Sequence, residues 1–355
     1  MATTFAVPDG RVAMAATTYT GTGATLAVSN AVNSVGMQPD LVWIKNRTAA
    51  NSHQLADSVR GVTKYLFSDA TSAEETRTDQ VTAFSASGFS LSALVVNTAV
   101  NNTGNNYVGW QWNAGGTTVT NGVGTISSQV RANTDAGFSV VTYTGTGANA
   151  TVGHGLGVIP GMVIVKNRTS GVPSWRVYHS ALPYTSYLYL DTTNAAFTGG
   201  GVWTQTPTTT LFGINGTDAG VGTANNYVAY CWAPVAGYSA FGSYTGNGSA
   251  DGPFVYTGFR PRWIMVKATT AATAYSWVVL DSSRNTYNLA DFKLLPNSSV
   301  VENDAGAIGG AGVNAFDLVS NGFKSRTSNL STNESGTTYI YAAFAENPLK
   351  YANAR

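Results

Sequence analysis

The hydrophobic pattern of this chain is dominated by one short motif that occurs three times. Each copy is a proline, one variable residue, four apolar residues and a lysine, and the copies lie at 39–45, 160–166 and 261–267. The apolar run is too short for a core helix and is rich in Val, Ile and Trp, which predicts a strand buried on both faces. Proline cannot donate to a sheet ladder, so we place it at the strand entrance. We expect the lysine to end the buried run where the strand meets water.

Three further landmarks repeat in the same order around this motif. A Tyr-Thr-Gly turn precedes it, a Gly-Phe or Phe-Gly element follows it, and an aromatic-rich strand closes each copy; these begin at Tyr19, Tyr143 and Tyr244, at Gly88, Phe212 and Gly322, and at Asn105, Asn225 and Thr338. Many short strands separated by Gly, Asn and Thr turns, without a convincing long helix, indicate β-sandwiches. The sequence therefore predicts an all-β protein made of three tandem antiparallel β-sandwich modules.

The repeat also sets the expected boundaries. They are an N-terminal arm at 1–14, module 1 at 15–114, a linker at 115–136, module 2 at 137–236 and module 3 at 237–355. The linker is rich in Gly, Thr and Asn, so we expect an extended connection, with Val119, Val123 and Ile126 able to pack on a neighbour. Module 1 departs from the others in its middle, where 53–61 is less strand-like and 73–78 is consistent with one helical turn.

Composition narrows the class of protein. Charged residues are 10% of the chain, against a usual share of ~25%, while hydrophobic residues are 43%. No apolar run approaches the ~18 residues that span a bilayer, so membrane insertion is disfavoured. The net charge is +1 and no basic cluster longer than a pair is present, so nucleic-acid binding is disfavoured too. Such weakly charged, polar surfaces are typical of β-rich extracellular and virion proteins.

The residues that usually carry chemistry are few and scattered. His53, His154 and His179 do not recur between modules, and no pair of them has metal-ligand spacing. His154 lies in a glycine-rich loop, where we expect a solvated side chain. The single cysteine, Cys231, sits in a closing strand and is expected to be a buried thiol. We therefore predict no catalytic residue, no metal and no cofactor.

The aromatic side chains are the better candidates for binding. The chain has 8 Trp and 18 Tyr, and exposed aromatic rings are how β-sandwiches hold sugars by stacking. Those at repeat-equivalent strand positions are expected in the core. The non-repeated Trp203, Tyr184 and Tyr287 are the candidates for contact with a ligand or partner, and packing as loop anchors is the alternative for each.

Three stretches carry a resemblance to a known family. Residues 336–350 resemble the end of a repeat module of tailed-bacteriophage virion proteins, 242–261 are similar to its opening, and 225–232 match the closing strand of an internal copy. The resemblance implies a non-enzymatic virion protein, most simply a tail fibre or receptor-binding tail component. Its implied partners are other virion proteins and a host-surface glycan or protein. Met1–Phe5 lacks the features of a secretory signal, so we expect synthesis in the bacterial cytoplasm followed by incorporation into the virion.

Two other functions stay open. No coiled-coil heptads are present to drive fibre trimerisation, which leaves a capsid decoration or head-fibre protein without a receptor role. A glycan-cleaving tailspike would need two carboxylates facing across a cleft, and the candidates are Asp281, Asp291, Glu302 and Asp304.

Assembly is the last expectation. The weakly charged surface favours a homo-oligomer, with a trimer as the form expected of a fibre. The alternative is that the three modules of one chain form a pseudo-threefold unit by themselves. We expect the arm at 1–14 to attach the protein to the particle through Phe5 and Val7.

Overall fold

Short antiparallel strands carry almost the whole fold. A computed structural model of the protein describes residues 6–93, 99–270, 274–303 and 315–346. The helical content of these ranges is one 3-10 turn, Gly10–Val12, and one helix of four residues, α1 (Leu330–Asn333). The prediction of an all-β class is therefore confirmed. The strands fall into three consecutive sets, which we call units 1, 2 and 3.

Unit 1 contains nine strands in two facing sheets and a small ribbon. They are β1 (Met14–Thr20), β2 (Leu26–Ser29), β3 (Leu41–Asn46), β4 (Gln54–Asp57), β5 (Lys64–Tyr65), β6 (Glu75–Thr76), β7 (Val81–Ser85), β8 (Gly88–Leu91) and β9 (Asn106–Trp112). The inner sheet has the order β1-β9-β3-β4 and the outer sheet the order β2-β8-β7, while β5 and β6 pair with each other.

Unit 2 also contains nine strands, and its inner sheet is the widest. They are β10 (Val119–Asn121), β11 (Ser128–Asn133), β12 (Phe138–Thr144), β13 (Ala150–Gly153), β14 (Met162–Asn167), β15 (Arg176–His179), β16 (Leu188–Tyr189), β17 (Leu211–Ile214) and β18 (Asn226–Trp232). The inner sheet has the order β10-β11-β12-β18-β14-β15-β16, and β13 and β17 form the outer sheet.

Unit 3 contains seven strands. They are β19 (Ser239–Thr245), β20 (Phe254–Tyr256), β21 (Pro261–Ala268), β22 (Val278–Asp281), β23 (Phe316–Val319), β24 (Gly322–Ser325) and β25 (Thr338–Ala345). The inner sheet has the order β19-β25-β21-β22 and the outer sheet the order β20-β24-β23.

The strand order of the inner sheet recurs in all three units. The opening strand pairs with the closing strand, the closing strand pairs with the strand of the proline motif, and that strand pairs with the next one along the chain. The opening tyrosine stacks on the closing-strand tyrosine in every unit, with ring centroids 5.0 Å apart for Tyr19 and Tyr107 and 5.1 Å apart for the pairs Tyr143–Tyr227 and Tyr244–Tyr339. These pairs tie the two strands together at equivalent places.

The strands of the proline motif are buried throughout, as predicted, and the structure explains why both faces are apolar. In β14, Val163 and Val165 face the outer sheet of their own unit and share a core with Phe212. Met162 and Ile164 face the other way, into a core that draws on all three units. Period-2 alternation thus serves two different cores, so neither face can be polar.

The core between the units is built largely of aromatic side chains. Trp112 of unit 1 lies at its centre, with ring centroids 5.8 Å from Trp232 of unit 2 and 5.5 Å and 5.7 Å from Trp263 and Phe344 of unit 3. All four side chains are buried. The three inner sheets therefore pack on one another, rather than standing as separate beads on a string.

Several local predictions were wrong. The segment 115–136 is not an extended connection, because β10 and β11 form a hairpin that widens the inner sheet of unit 2; in it Ile126 is buried while Val119 and Val123 are exposed. Region 53–61 contains the strand β4, and Glu75–Thr76 is a strand rather than a helical turn. In each case pairing with an adjacent strand, which the residue pattern of the segment alone does not reveal, decides the local conformation.

Candidate functional surfaces

The first contacts that organise the molecule join the end of one inner sheet to the closing strand of the next unit. Asp57 of unit 1 accepts from the Tyr230 hydroxyl of unit 2 at 2.8 Å, His179 of unit 2 lies 3.0 Å from the Tyr341 carbonyl of unit 3, and Asp281 of unit 3 accepts from Trp110 of unit 1 at 2.9 Å. Asp57, His179 and Asp281 are equivalent strand-end positions, paired with Leu41, Met162 and Trp263 respectively. Each unit thus contacts the next, and the third contacts the first, so these contacts close a ring of three units.

The repeated lysine makes a second cyclic set of contacts. The three ammonium groups each donate to a backbone carbonyl of the preceding unit in the ring, in the pairs Lys45–Ser299 at 3.0 Å, Lys166–Thr71 at 2.6 Å and Lys267–Thr193 at 2.8 Å. The prediction that this lysine meets water was wrong, because all three lysines are fully buried between units. Burial lowers the pKa of Lys45 and Lys166 to about 8 and that of Lys267 to about 7.

A third cyclic set of contacts comes from the residue directly before β4, β15 and β22, which is His53, Trp175 or Trp277. His53 Nε2 lies 2.9 Å from the Leu295 carbonyl, and the indole N–H groups of Trp175 and Trp277 donate to the carbonyls of Phe67 and Tyr189 at 2.9 Å and 2.8 Å. Trp43 donates to His53 Nδ1, so Nε2 carries the proton. Burial holds the pKa of His53 well below its ordinary value.

The three interfaces between units differ in their charged residues. Between units 1 and 2, Glu74 accepts from Arg168 at 2.7 Å and from Arg60 at 3.1 Å. Between units 3 and 1, Glu302 does the same with Arg47 at 2.7 Å and Arg284 at 2.9 Å. Between units 2 and 3 the equivalent positions are Ala196, Thr269 and Leu182, and Ala196 keeps only the backbone bond to Thr269. Two interfaces are therefore ionic, and one is uncharged at these positions.

The histidines and carboxylates weighed for chemistry are engaged in the fold. The prediction that His154 is solvated was wrong, because its side chain is buried. Its Nε2 lies 3.1 Å from the Thr208 carbonyl and its Nδ1 accepts from the Leu156 N–H. Asp281 bonds to Arg284 at 2.6 Å, and Asp291 accepts from Asn285 at 2.9 Å; Asp304 lies outside the described residues. Cys231 is buried, as predicted, and burial raises the pKa of its thiol to about 12. Across the described ranges no three His, Cys, Asp or Glu side chains are grouped as metal ligands.

The candidate contact residues that the sequence suggested differ in their exposure to solvent. Trp203 is only 4% exposed and packs edge-on against Tyr178, so it is a loop anchor. Tyr184 is 39% exposed and Tyr287 is 85% exposed. Val7 is 3% exposed and belongs to the shared core, so its side chain is already occupied within the chain. Phe5 lies outside the described residues.

Tyr287 is presented by a loop that only unit 3 has at this length. In each unit a leucine after the last strand of the inner-sheet order pairs back with that strand: Leu66 with Leu55, Leu188 with Val177 and Leu294 with Val279. The leucine lies nine residues after the strand end in units 1 and 2 but thirteen residues after it in unit 3, so the loop of unit 3 is four residues longer. The inserted loop is braced, since Asn288 exchanges bonds with Leu318 and Ala290 bridges to Phe316 of β23. It therefore extends the outer sheet of unit 3 and holds Tyr287 in solvent.

Two further exposed aromatic side chains lie on the opposite edge of that sheet, and the sequence analysis did not predict them. Phe254 and Tyr256 alternate along β20 with the buried Val255 between them, so both rings lie on the outer face. The equivalent positions are Ala27 and Ser29 in unit 1 and Thr151 and Gly153 in unit 2, aligned through the pairing with the repeated phenylalanine. Comparing the three repeats position by position provides a signal that could have found this pair.

The aromatic exposure is concentrated in one unit. Of the six exposed aromatic side chains in the described ranges, four belong to unit 3 and two to unit 2: Phe254, Tyr256, Tyr287 and Phe292, and Tyr184 and Phe197. A groove of about 420 Å³ also runs along the β10–β11 hairpin, lined by Val119, Val123 and Val130. Because exposed aromatic rings commonly mark contact sites, the outer sheet of unit 3 is the leading candidate surface.

Comparison with known proteins yields one family. The model of a protein family described as a domain of unknown function (DUF7483) matches residues 12–348, a span that covers all three units. No curated protein and no solved structure matches the chain. No helix in the described part of the chain is long and apolar enough to cross a membrane.

Proposed function

This chain belongs to the family of the domain of unknown function DUF7483, and we propose that it is a non-enzymatic structural protein of a bacteriophage virion. Within the virion we propose a tail-fibre or receptor-binding tail component that contacts the host surface. The three units are proposed to be the three modules of the repeat. The resemblance of 225–232, 242–261 and 336–350 to phage virion modules supports the location.

The observation that carries the host-contact role is the aromatic surface of unit 3. Two of its side chains lie on β20 and a third, Tyr287, lies on the inserted loop, which is braced against β23. Tyr287, the most exposed aromatic side chain of the described residues at 85%, contributes little to packing within the chain. Such exposure has a cost in solubility that contact with a partner offsets.

The ring of contacts supports a specific assembly. Each inner sheet already has its neighbours on both sides within the same chain, through the pairs Asp57–Tyr230, His179–Tyr341 and Asp281–Trp110. We therefore propose that one chain supplies the trimeric arrangement that fibre proteins usually build from three chains, and that the free protein is a monomer. Other virion proteins are its proposed partners on the particle.

The same closure favours the second candidate, a capsid decoration or head-fibre protein. A closed unit needs no further copies for its own stability, and it can sit singly on a capsid. The tailspike is not carried further, because Asp281 and Glu302 are held by buried arginines and a general acid needs a free carboxyl group in a cleft.

Labelling the phage particle separates these functions. Gold-labelled antibody against the purified chain, viewed by electron microscopy, should mark the tail, and the purified chain should compete with phage adsorption to host cells. Label on the head, without competition, would assign the decoration role. Particles that carry no label, although the antibody recognises the chain in infected cells, would refute a virion location.

A further inference from the structure

We propose that the outer face of unit 3 binds a neutral saccharide, which stacks on Phe254 and Tyr256. This gives a chemical class to the host contact proposed above and rests on that function only for the source of the sugar. The binding itself is a property of the purified chain. Its failure is therefore distinguishable from a failure of the virion location.

The two rings lie against glycines, which leaves their faces open. A Cβ built on Gly322 would lie 3.1 Å from Phe254 Cε2, and one built on Gly258 would lie 3.6 Å from the Tyr256 hydroxyl. Phe254 thus lies over a glycine of the neighbouring strand β24 and Tyr256 lies near a glycine that follows β20, so in each case the covered side of the ring meets backbone and the other side is exposed. Phe254 is 47% exposed and Tyr256 67% exposed. Two adjacent aromatic faces on a rigid strand suit the apolar C–H face of a sugar ring.

Hydrogen-bonding groups flank the rings on the same face. Lys324 is the cross-strand partner of Phe254 and Asp317 is the partner of Lys324, so these side chains form a row across the sheet. Lys324 pairs with Asp251 at 2.7 Å, and Arg326 pairs with Asp317 at 2.5 Å. Two cations and two carboxylates leave no net charge, and together they offer both donors and acceptors to hydroxyl groups. This balance favours a neutral sugar over an acidic one.

The other two units argue that this surface is not required by the fold. Units 1 and 2 build the same sheet edge with small side chains in place of Phe254 and Tyr256. In unit 2 that edge is covered, because Ile126 bridges to Val152 in parallel and Thr125 bonds to Thr151. Among the described residues, β20 pairs only with β24.

The test is saturation-transfer NMR on the full chain, with the methyl glycosides of glucose, galactose, mannose and N-acetylglucosamine as probes and methyl glucuronide as the charged comparison. At least one neutral glycoside should receive saturation at its ring C–H protons. The variant Phe254→Ala/Tyr256→Ser carries the residues that unit 1 has at these positions, and it should weaken the affinity for that glycoside about tenfold, the loss expected when two stacking rings are removed, with a matching loss of transfer. Tyr256→Ser alone should reduce it partially and provides a second, milder variant.

Tyr184→Ala is the matched control, since it removes an exposed aromatic ring of unit 2, outside the outer sheet of unit 3, and should leave the transfer unchanged. Thermal unfolding of each variant should stay close to that of the unaltered chain. The proposal is overturned if no neutral glycoside binds, if the glucuronide binds better, or if the double variant binds as well as the original. It is also overturned if sedimentation shows a dimer that the double variant abolishes, because a second copy would then occupy this face.

Discussion

Replacing Glu74 tests whether the three interfaces of the ring are interchangeable. Its carboxylate receives two bonds from Arg168, at 2.7 Å and 2.9 Å, and one from Arg60 at 3.1 Å. Burial on its own would raise the pKa of Glu74, but the bonds from Arg168 and the charge of Arg60 lower it below its ordinary value. The carboxylate is therefore ionised in the folded protein and neutralises the buried Arg60 together with Asp57.

Glu74→Ala leaves two guanidinium groups without this partner. Breaking a buried ion pair from one side costs about 3–5 kcal/mol, and because Arg168 is partly exposed we expect about 2–4 kcal/mol. With an unfolding entropy of about 2.1 cal/mol/K per residue, a cost near 3 kcal/mol lowers Tm by about 4 °C for a chain of this length. Differential scanning calorimetry of the full chain at neutral pH measures this shift.

The control comes from the chain itself. Glu74→Ala/Arg168→Thr/Arg60→Leu/Asp57→His copies Ala196, Thr269, Leu182 and His179, the equivalent set between units 2 and 3. Since replacing a whole buried ionic cluster by neutral groups is often close to energetically neutral, the quadruple variant should recover to within about 1 kcal/mol of the original chain. A quadruple variant that is less stable than Glu74→Ala, or a single variant that costs nothing, would refute the equivalence of the interfaces.

Three further predictions follow from burial and from pKa. Val163→Ala should cost about 1–3 kcal/mol through lost burial and a partial cavity, whereas Val172→Ala, at an exposed position, should cost almost nothing in urea unfolding. Burial lowers the pKa of His179 to about 4 from 6.5, and its Nδ1 already accepts from a backbone N–H. As the pH falls, the unfolded chain binds this proton before the folded chain does, so stability should fall between about pH 6.5 and pH 4. The fall should be smaller in His179→Gln. Burial lowers the pKa of Lys267 to about 7 from 10.5. Above pH 7 the unfolded chain holds a proton that the folded chain lacks, so stability should rise from about pH 7 to pH 9. Lys267→Met should reduce that rise, and Lys45 and Lys166, whose pKa is lowered to about 8, should supply the remainder.

The repeated apolar motif predicted its own strands well. The strands β3, β14 and β21 are buried along their apolar runs, as the motif indicated. The repeated lysine was misjudged for a physical reason. Its ammonium group is solvated by a carbonyl group of another unit, between 74 and 254 residues away in sequence, and no local pattern encodes such a partner.

The candidate surface was predicted only in part. Tyr287 and Tyr184 were selected because they do not repeat, and both are exposed. Trp203 met the same criterion but is buried, since its ring packs into the core of unit 2 beside Tyr178. Phe254 and Tyr256 were overlooked because strand aromatics are usually core. In unit 2 the segment with Thr125 and Ile126 covers the equivalent strand β13. Among the described residues no such segment pairs with β20, so Phe254 and Tyr256 stay exposed.

The closure of the ring has a consequence for synthesis on the ribosome. The contacts between units 3 and 1 join residues far apart in the chain, such as Arg47 with Glu302 and Ala16 with Ser283, separated by 255 and 267 positions. While units 1 and 2 emerge, the lysine of unit 1 has no acceptor at Ser299 and one face of its inner sheet has no neighbour. The nascent chain therefore carries an exposed, sticky edge through most of its translation, and only the last third of the message supplies the segment that covers it.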